Sequence, residues 1–333
     1  MRNSFFATVC CMAMLAGCQQ VEEIVNPSEE LPMAIEASIG RSDVVAGRYA
    51  GDTPNDVSFK NDDAIGVVVN NGNFTQWTYN SNIWSQTGSS TVNWNNKKDN
   101  HTFYAFYPHT DNATLTGIEM PILSGQDGSM ASVASRDFLY TSKTQSYGTD
   151  GKVSFTGEHA FAHISSLLAI TIKGDGDLAT ATINNISIEG TDILTQSTFS
   201  FNLNEEGINP EVILSTEEDK KENLLTATMS HPMNSNDKTF YFIVNAETVN
   251  LSDVKLSIAY SFSNGDNYEA EVTGLNKNEN DQFISGKQYA YTLKIQDRTL
   301  IISNGTIKDW ENGDSLGDII INGTKTEEPE NEA

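Results

Sequence analysis

Apolar and polar positions alternate with a period of two along most of this chain, the signature of strands with one buried face. Val254, Leu256, Ile258, Tyr260 and Phe262 fall on one face of a predicted strand, with Lys255, Ser257, Ala259 and Ser261 on the other. Tyr289, Tyr291, Leu293 and Ile295 alternate with Gln288, Ala290, Thr292 and Lys294, and Phe240, Phe242 and Val244 have Tyr241 and Ile243 behind them. Each of these runs reads as a half-buried strand with one wet face. Further strands are predicted at 64–69, 75–79, 101–107, 164–172, 183–189 and 198–203. Turn-forming clusters separate them: Asn70-Asn71-Gly72-Asn73, Asp127-Gly128, Gly174-Asp175-Gly176-Asp177, Asn264-Gly265-Asp266 and Asn304-Gly305. Helical spacing past the N-terminal segment is confined to 211–225, room for a turn or two. No fixed-period repeat is present. The pattern predicts an all-β chain of sandwiches.

A shorter alternation stands ahead of these strands. Met33, Ile35, Ala37 and Ile39 share one face, and Ala34, Glu36 and Ser38 the other. Such a strand is held by ladder hydrogen bonds and by alternate side chains seated in pockets. Its loss would leave an unpaired edge and an uncovered core, which invites another strand. Gly40-Arg41-Ser42-Asp43 follows as a cuttable loop, with Arg48 a second position for the same cut. Near the other end the apolar residues are Leu300, Ile302, Ile307, Trp310, Ile319, Ile320 and Ile321, the last three behind a Gly-containing segment at 311–317.

The N-terminus changes the picture. Arg2 precedes an apolar run at 5–15, too short to span a bilayer, and Leu15-Ala16-Gly17-Cys18 closes it. This resembles the lipobox of bacterial lipoproteins, which implies a signal peptide at 1–17, cleavage before Cys18 and lipid on its thiol. Glu22 and Glu23 just after resemble surface-export signals of Bacteroidota lipoproteins. The three cysteines are Cys10, Cys11 and Cys18, so the lipidated chain would keep no free thiol for a disulfide, a thiolate-bound metal or a nucleophile. No other stretch approaches the ~20 apolar residues of a membrane helix, so the expectation is anchorage without spanning. The formal net charge of −25 argues against nucleic-acid partners.

Chemistry is sparse. His159 and His163 are four apart but lack the acid of a His-Glu-x-x-His site and a third ligand, and read as structural. Asp175 and Asp177 sit in a turn with no Glu at EF-hand spacing. There is no nucleophile elbow, phosphate loop or dinucleotide fingerprint, and no pair stands out among the many carboxylates. The expectation is no catalytic residue, no metal and no cofactor. Trp77 and Trp84 flank an Asn-rich turn region and are either core residues or a flat sugar-binding platform. Asp314-Ser315-Leu316 resembles a Bacteroidota O-glycosylation signal.

Several stretches, in order, resemble the fimbrillin family of type V pilus lipoproteins of Bacteroidota. They are LPMAIEASIGR at 31–41, FKNDDAIGVVV at 59–69, Trp94 with HTFYAFYP at 101–108, HAFAHISSLL at 159–168, GKQYAYTLKI at 286–295 and IKDW at 307–310. The resemblance implies two tandem transthyretin-like β-sandwich domains, 18–157 and 158–323, with a boundary near 153–158 and an acidic disordered tail at 324–333. It implies a precursor that reaches the outer membrane and cell surface by its lipid anchor. An arginine-specific protease then cuts after Arg41 or Arg48, and the strand at 33–39 leaves. A neighbouring pilin subunit fills the groove with a C-terminal donor strand drawn from Leu300, Ile302, Ile307, Trp310 and Ile319–Ile321. The alternatives are that those residues form a last edge strand on their own sheet, and that the protein is a surface lipoprotein binding glycan or a host ligand without polymerising.

Overall fold

A computed structural model describes residues 31–40, 58–87, 92–204, 207–275, 282–296, 299–309, 312–316 and 319–325. The first half contains β1 (Ala34–Ala37), β2 (Ala64–Val69), β3 (Thr75–Asn80), β4 (Ile83–Thr87), β5 (His101–Tyr107) and β6 (Ile118–Glu119). A five-residue helix α1 (Met130–Ala134) precedes β7 (Leu139–Gln145), β8 (Lys152–Phe155) and β9 (Ala162–His163). Six strands form an antiparallel sheet in the order β4-β3-β2-β5-β7-β9, and β1 lies parallel on β8 as a separate two-stranded layer. The alternation assigns the faces. Ile65, Val67, Phe103, Ala105 and Tyr107 belong to the core shared with β1 and β8, whereas Val68, Tyr104 and Phe106 belong to a second cluster.

The second half contains β10 (Ser166–Ile172), β11 (Thr182–Glu189), β12 (Ser197–Ser200), β13 (Leu203–Asn204), β14 (Gly207–Ile208), β15 (Glu211–Leu214), β16 (Leu224–Pro232) and β17 (Lys238–Val244). It ends with β18 (Lys255–Ser261), β19 (Asn267–Thr273), β20 (Lys287–Gln296), β21 (Thr299–Asp309), β22 (Asn312–Leu316) and β23 (Ile319–Lys325). Nine strands follow the order β16-β11-β18-β19-β23-β21-β20-β10-β17, with β22 beside β21. The β20 alternation buries Tyr289, Tyr291, Leu293 and Ile295, and burial pushes the Tyr291 phenol far above its ordinary range.

The chain is all-β, as the alternation predicts, with four local departures. The segment 211–225 makes no α-helix: β15 pairs with β12, a single 3-10 turn spans Glu218–Lys220, and β16 begins at Leu224. The strand expected over 198–203 stops at Ser200 because Phe201 turns its N–H to Leu115 O and Asn202 takes a φ of +37°. The back of β17 is not wet, since Ile243 is fully buried under Gln126 and α1 packs on this strand. Finally, β4 follows β3 through Ser81 and Asn82, both at positive φ, a tight hairpin turn without the usual glycine.

The stretch 153–158, expected to mark a domain boundary, holds the end of β8, and β9 at Ala162–His163 still pairs with β7. The halves are tied together by pairing of β6 with β12. Rings also cross between them: Tyr104 meets Phe201 with centroids 5.0 Å apart and Phe138 meets Phe199 at 5.1 Å. β23 runs to Lys325, two residues into the segment expected as a tail.

Candidate functional site

The first strand occupies a seat made by three backbone segments of the first half, 151–155, Phe161 and 93–94. Its ladder with β8 pairs Ala34 with Lys152, Ile35 with Val153, Glu36 with Ser154 and Ala37 with Phe155. The backbone continues the contact beyond the ladder. Ser38 N–H donates to Phe155 O at 3.0 Å, Phe161 N–H to Ser38 O at 2.9 Å, and Gly40 N–H to Phe161 O at 2.7 Å. At the other end Trp94 N–H donates to Leu31 O at 3.0 Å, and Pro32 bridges Asn93. β1 therefore has a full ladder on one side and single bridges at its ends.

Side chains do the rest. Leu31, Met33, Ile35 and Ile39 are buried in the core with Phe59, Trp84, Trp94, Phe103, Phe155 and Phe161, and Ala37 is half-buried beside it. Burial of each large side chain contributes on the order of 2 kcal/mol. The exposed face carries Glu36, whose carboxylate lies 2.6 Å from Lys152 Nζ and raises that ammonium's pKa through the hydrogen bond and its charge. Trp94 locks the entrance: its indole N–H donates to Gly151 O at 2.8 Å, and its ring sits edge-on to Phe103 and Tyr147. Gly151 has a φ of +69°, and a Cβ there would lie 2.8 Å from Pro32 O, so only glycine admits the strand at this point.

Cys18, Arg41, Arg48 and Trp310 lie outside the described residues. Gly40, with a φ of +89°, is the last described residue before Arg41. Arg136 has its guanidinium held by five acceptors, Nε donating to Ser124 O, Nη2 to Gly125 O, and Nη1 shared among Ser132 O, Ser132 Oγ and Ser135 Oγ. Leu300, Ile302 and Ile307 lie on β21 and Ile319, Ile320 and Ile321 on β23, in the second half. β23 is not an edge: it pairs with β19 through Tyr268, Glu269 and Ala270, and with β21 through 299–302. The candidate donor residues and the first strand's seat thus belong to different sheets of one chain.

The proposed sugar platform is overturned. Trp77 and Trp84 are 3% and 6% exposed, because the alternation of β3 and β4 turns both into the core. Trp84 packs edge-on to Phe59 at 4.9 Å, and Trp77 donates to Thr75 Oγ1 at 3.3 Å. His163 lies buried with Nδ1 2.9 Å from an Asp137 carboxylate oxygen, and His159 Nδ1 lies 3.1 Å from Ser142 O, so each is tied to a structural partner. No group of three or more His, Cys, Asp or Glu suited to a metal occurs among the described residues. Sequence reasoning missed Gly151, Lys152 and the seat on β8. The apolar signal there is two residues, Val153 and Phe155, too short for a period to register.

The family model for fimbrillin-like proteins matches residues 50–310, and the chain belongs to this family. Two solved structures share the fold. A proposed cell adhesion protein of Bacteroides uniformis is similar with a TM-score of 0.58 and 17% identity, over 84% of this chain and 98% of its own. Another, of Bacteroides ovatus, is similar with a TM-score of 0.55 and 17% identity, over 85% of this chain and 98% of its own. A fimbrilin of Porphyromonas gingivalis is more distant, with a TM-score of 0.39 and 9% identity, over 80% of this chain and 91% of its own. No curated protein matches the sequence.

Proposed function

We propose that this protein is a non-enzymatic, pilin-like subunit of cell-surface fimbriae that assembles by strand exchange. It is exported as a lipoprotein precursor, with a signal peptide at 1–17 and lipid on Cys18 holding it to the outer membrane. Two transthyretin-like sandwiches, 18–157 and 158–323, form its body. An arginine-specific protease cuts after Arg41 or Arg48, and β1 leaves. A strand from the C-terminal region of another pilin subunit, drawn from Leu300, Ile302, Ile307, Trp310 and Ile319–Ile321, takes its place. The single observation that carries this reading is the seat of β1. A four-residue ladder on one side and a row of core side chains retain it, so its departure opens an apolar groove along the free edge of β8. Family membership supports it. Arg136 supports it differently: with its guanidinium bound to five acceptors it cannot enter a protease pocket without local unfolding, which directs cutting elsewhere.

The test is the N-terminal sequence and mass of the protein recovered from the cell surface. A chain beginning at Ser42 or Tyr49 without lipid is the expected result. A chain beginning at acylated Cys18 in every recovered form contradicts processing and, with it, exchange at this groove.

A further inference from the structure

β16 and β17 follow one another in the chain but bond to different neighbours, β16 to β11 and β17 to β10. They are the two ends of the large sheet of the second half. Between them lies an open cleft of about 570 Å³, walled on its third side by residues 127–130. That volume is within the range of small-ligand sites. Part of the outward edge of β17 is satisfied: Tyr241 N–H donates to Gly128 O at 2.9 Å, and Gln126 exchanges two hydrogen bonds of 2.8 Å with Ile243. The cleft also presents polar side chains to a ligand.

Those side chains are unusually free. Lys238 is exposed and makes no ion pair among the described residues, in a chain of net charge −25. His231 stands edge-on to Phe240, ring centroids 5.8 Å apart, and neither its ring nitrogens nor the Tyr241 phenol has a hydrogen-bond partner among the described residues. Burial, reinforced by the Lys238 charge, lowers the His231 pKa, so it offers one donor and one acceptor at neutral pH. The one carboxylate in the wall, Asp127, is turned to its own loop: it accepts from Ser129 N–H at 2.9 Å, and hydrogen bonding to Ser129 holds it below the ordinary carboxylate range. Half-buried Met229 supplies apolar surface, and Phe240, 5% exposed, belongs to the core behind the cleft.

We infer that this cleft binds a carboxylate-bearing sugar, a hexuronate unit of an acidic glycan. Its carboxylate meets the Lys238 ammonium, its hydroxyls meet His231 and the Tyr241 phenol, and its apolar ring face lies on the half-buried Met229. On the β17 side an extended peptide would find the Tyr241 and Ile243 amides already taken by Gly128 and Gln126.

The test is calorimetric titration of the full chain at low salt with digalacturonate, with lactose as the neutral sugar and tetraglutamate as the acidic peptide. Digalacturonate binds saturably, and lactose and tetraglutamate bind at least tenfold more weakly. Lys238→Gln costs about tenfold or more in affinity and Tyr241→Phe several-fold, with melting temperatures unchanged. Absence of saturable digalacturonate binding, or binding indifferent to Lys238→Gln, overturns the inference. Equal affinity for lactose removes the carboxylate from it, and equal affinity for tetraglutamate reassigns the cleft to acidic peptide.

Discussion

Two apolar strands near opposite ends of the chain, β1 and β23, are held in different ways. β23 is flanked by β19 and β21, so backbone hydrogen bonds secure it on both sides. β1 has one ladder neighbour and depends on Leu31, Met33, Ile35 and Ile39 reaching the core. The difference teaches that retention of β1 rests on its core side chains as well as on a single ladder. The proposed exchange uses this: a chain presenting apolar residues at the same spacing would meet the same pockets, and the vacated β8 edge would supply the ladder.

Substitutions can break or sharpen this contrast. The largest effect is expected from Ile35→Asp, which places a carboxylate in the core and lowers stability by about 4 kcal/mol, read by urea unfolding. Gly151→Ala comes next, at about 1–3 kcal/mol in the same assay, since it strains a φ of +69° and presses a methyl on Pro32 O. Trp94→Phe removes the indole bond to Gly151 O and costs about 1–2 kcal/mol. Glu36→Gln breaks an exposed pair with Lys152, and the melting temperature is expected to stay within error. Without any substitution, hydrogen exchange reads the contrast directly: the amides of Ala34–Ala37 exchange sooner than those of β23.

Strands with long alternation were legible in the sequence. β2 and β5 match their expected bounds, and β18 and β20 lie within a residue or two of theirs. Each carries enough apolar residues on one face for the period to register. The first strand's alternation was equally plain, and Met33, Ile35 and Ile39 are buried where it places them. What was hidden is what lies opposite. β8 has only four residues, and its pairing with β1 joins positions more than a hundred residues apart, information that local periodicity does not hold. The outward face of β5 was hidden for the same reason. Tyr104 and Phe106 are buried because Phe199 and Phe201 arrive from the second half. Trp77 and Trp84 show the converse, since an Asn-rich turn nearby gives no information on which face a ring takes. The acidic-sugar cleft has no sequence signal either, as it arises from two strands that fail to pair with each other.

The central claim is that β1 must leave its seat for subunits to join. Glu36→Cys with Ser154→Cys places two thiols on directly paired positions of β1 and β8, the first exposed and the second half-buried, in a chain whose other cysteines all fall at or before Cys18. The measurement is polymer formation after arginine-specific proteolysis of this double variant, oxidised and then reduced. The account predicts cleavage without polymers when oxidised and polymers after reduction. Equal polymerisation in both states would contradict it.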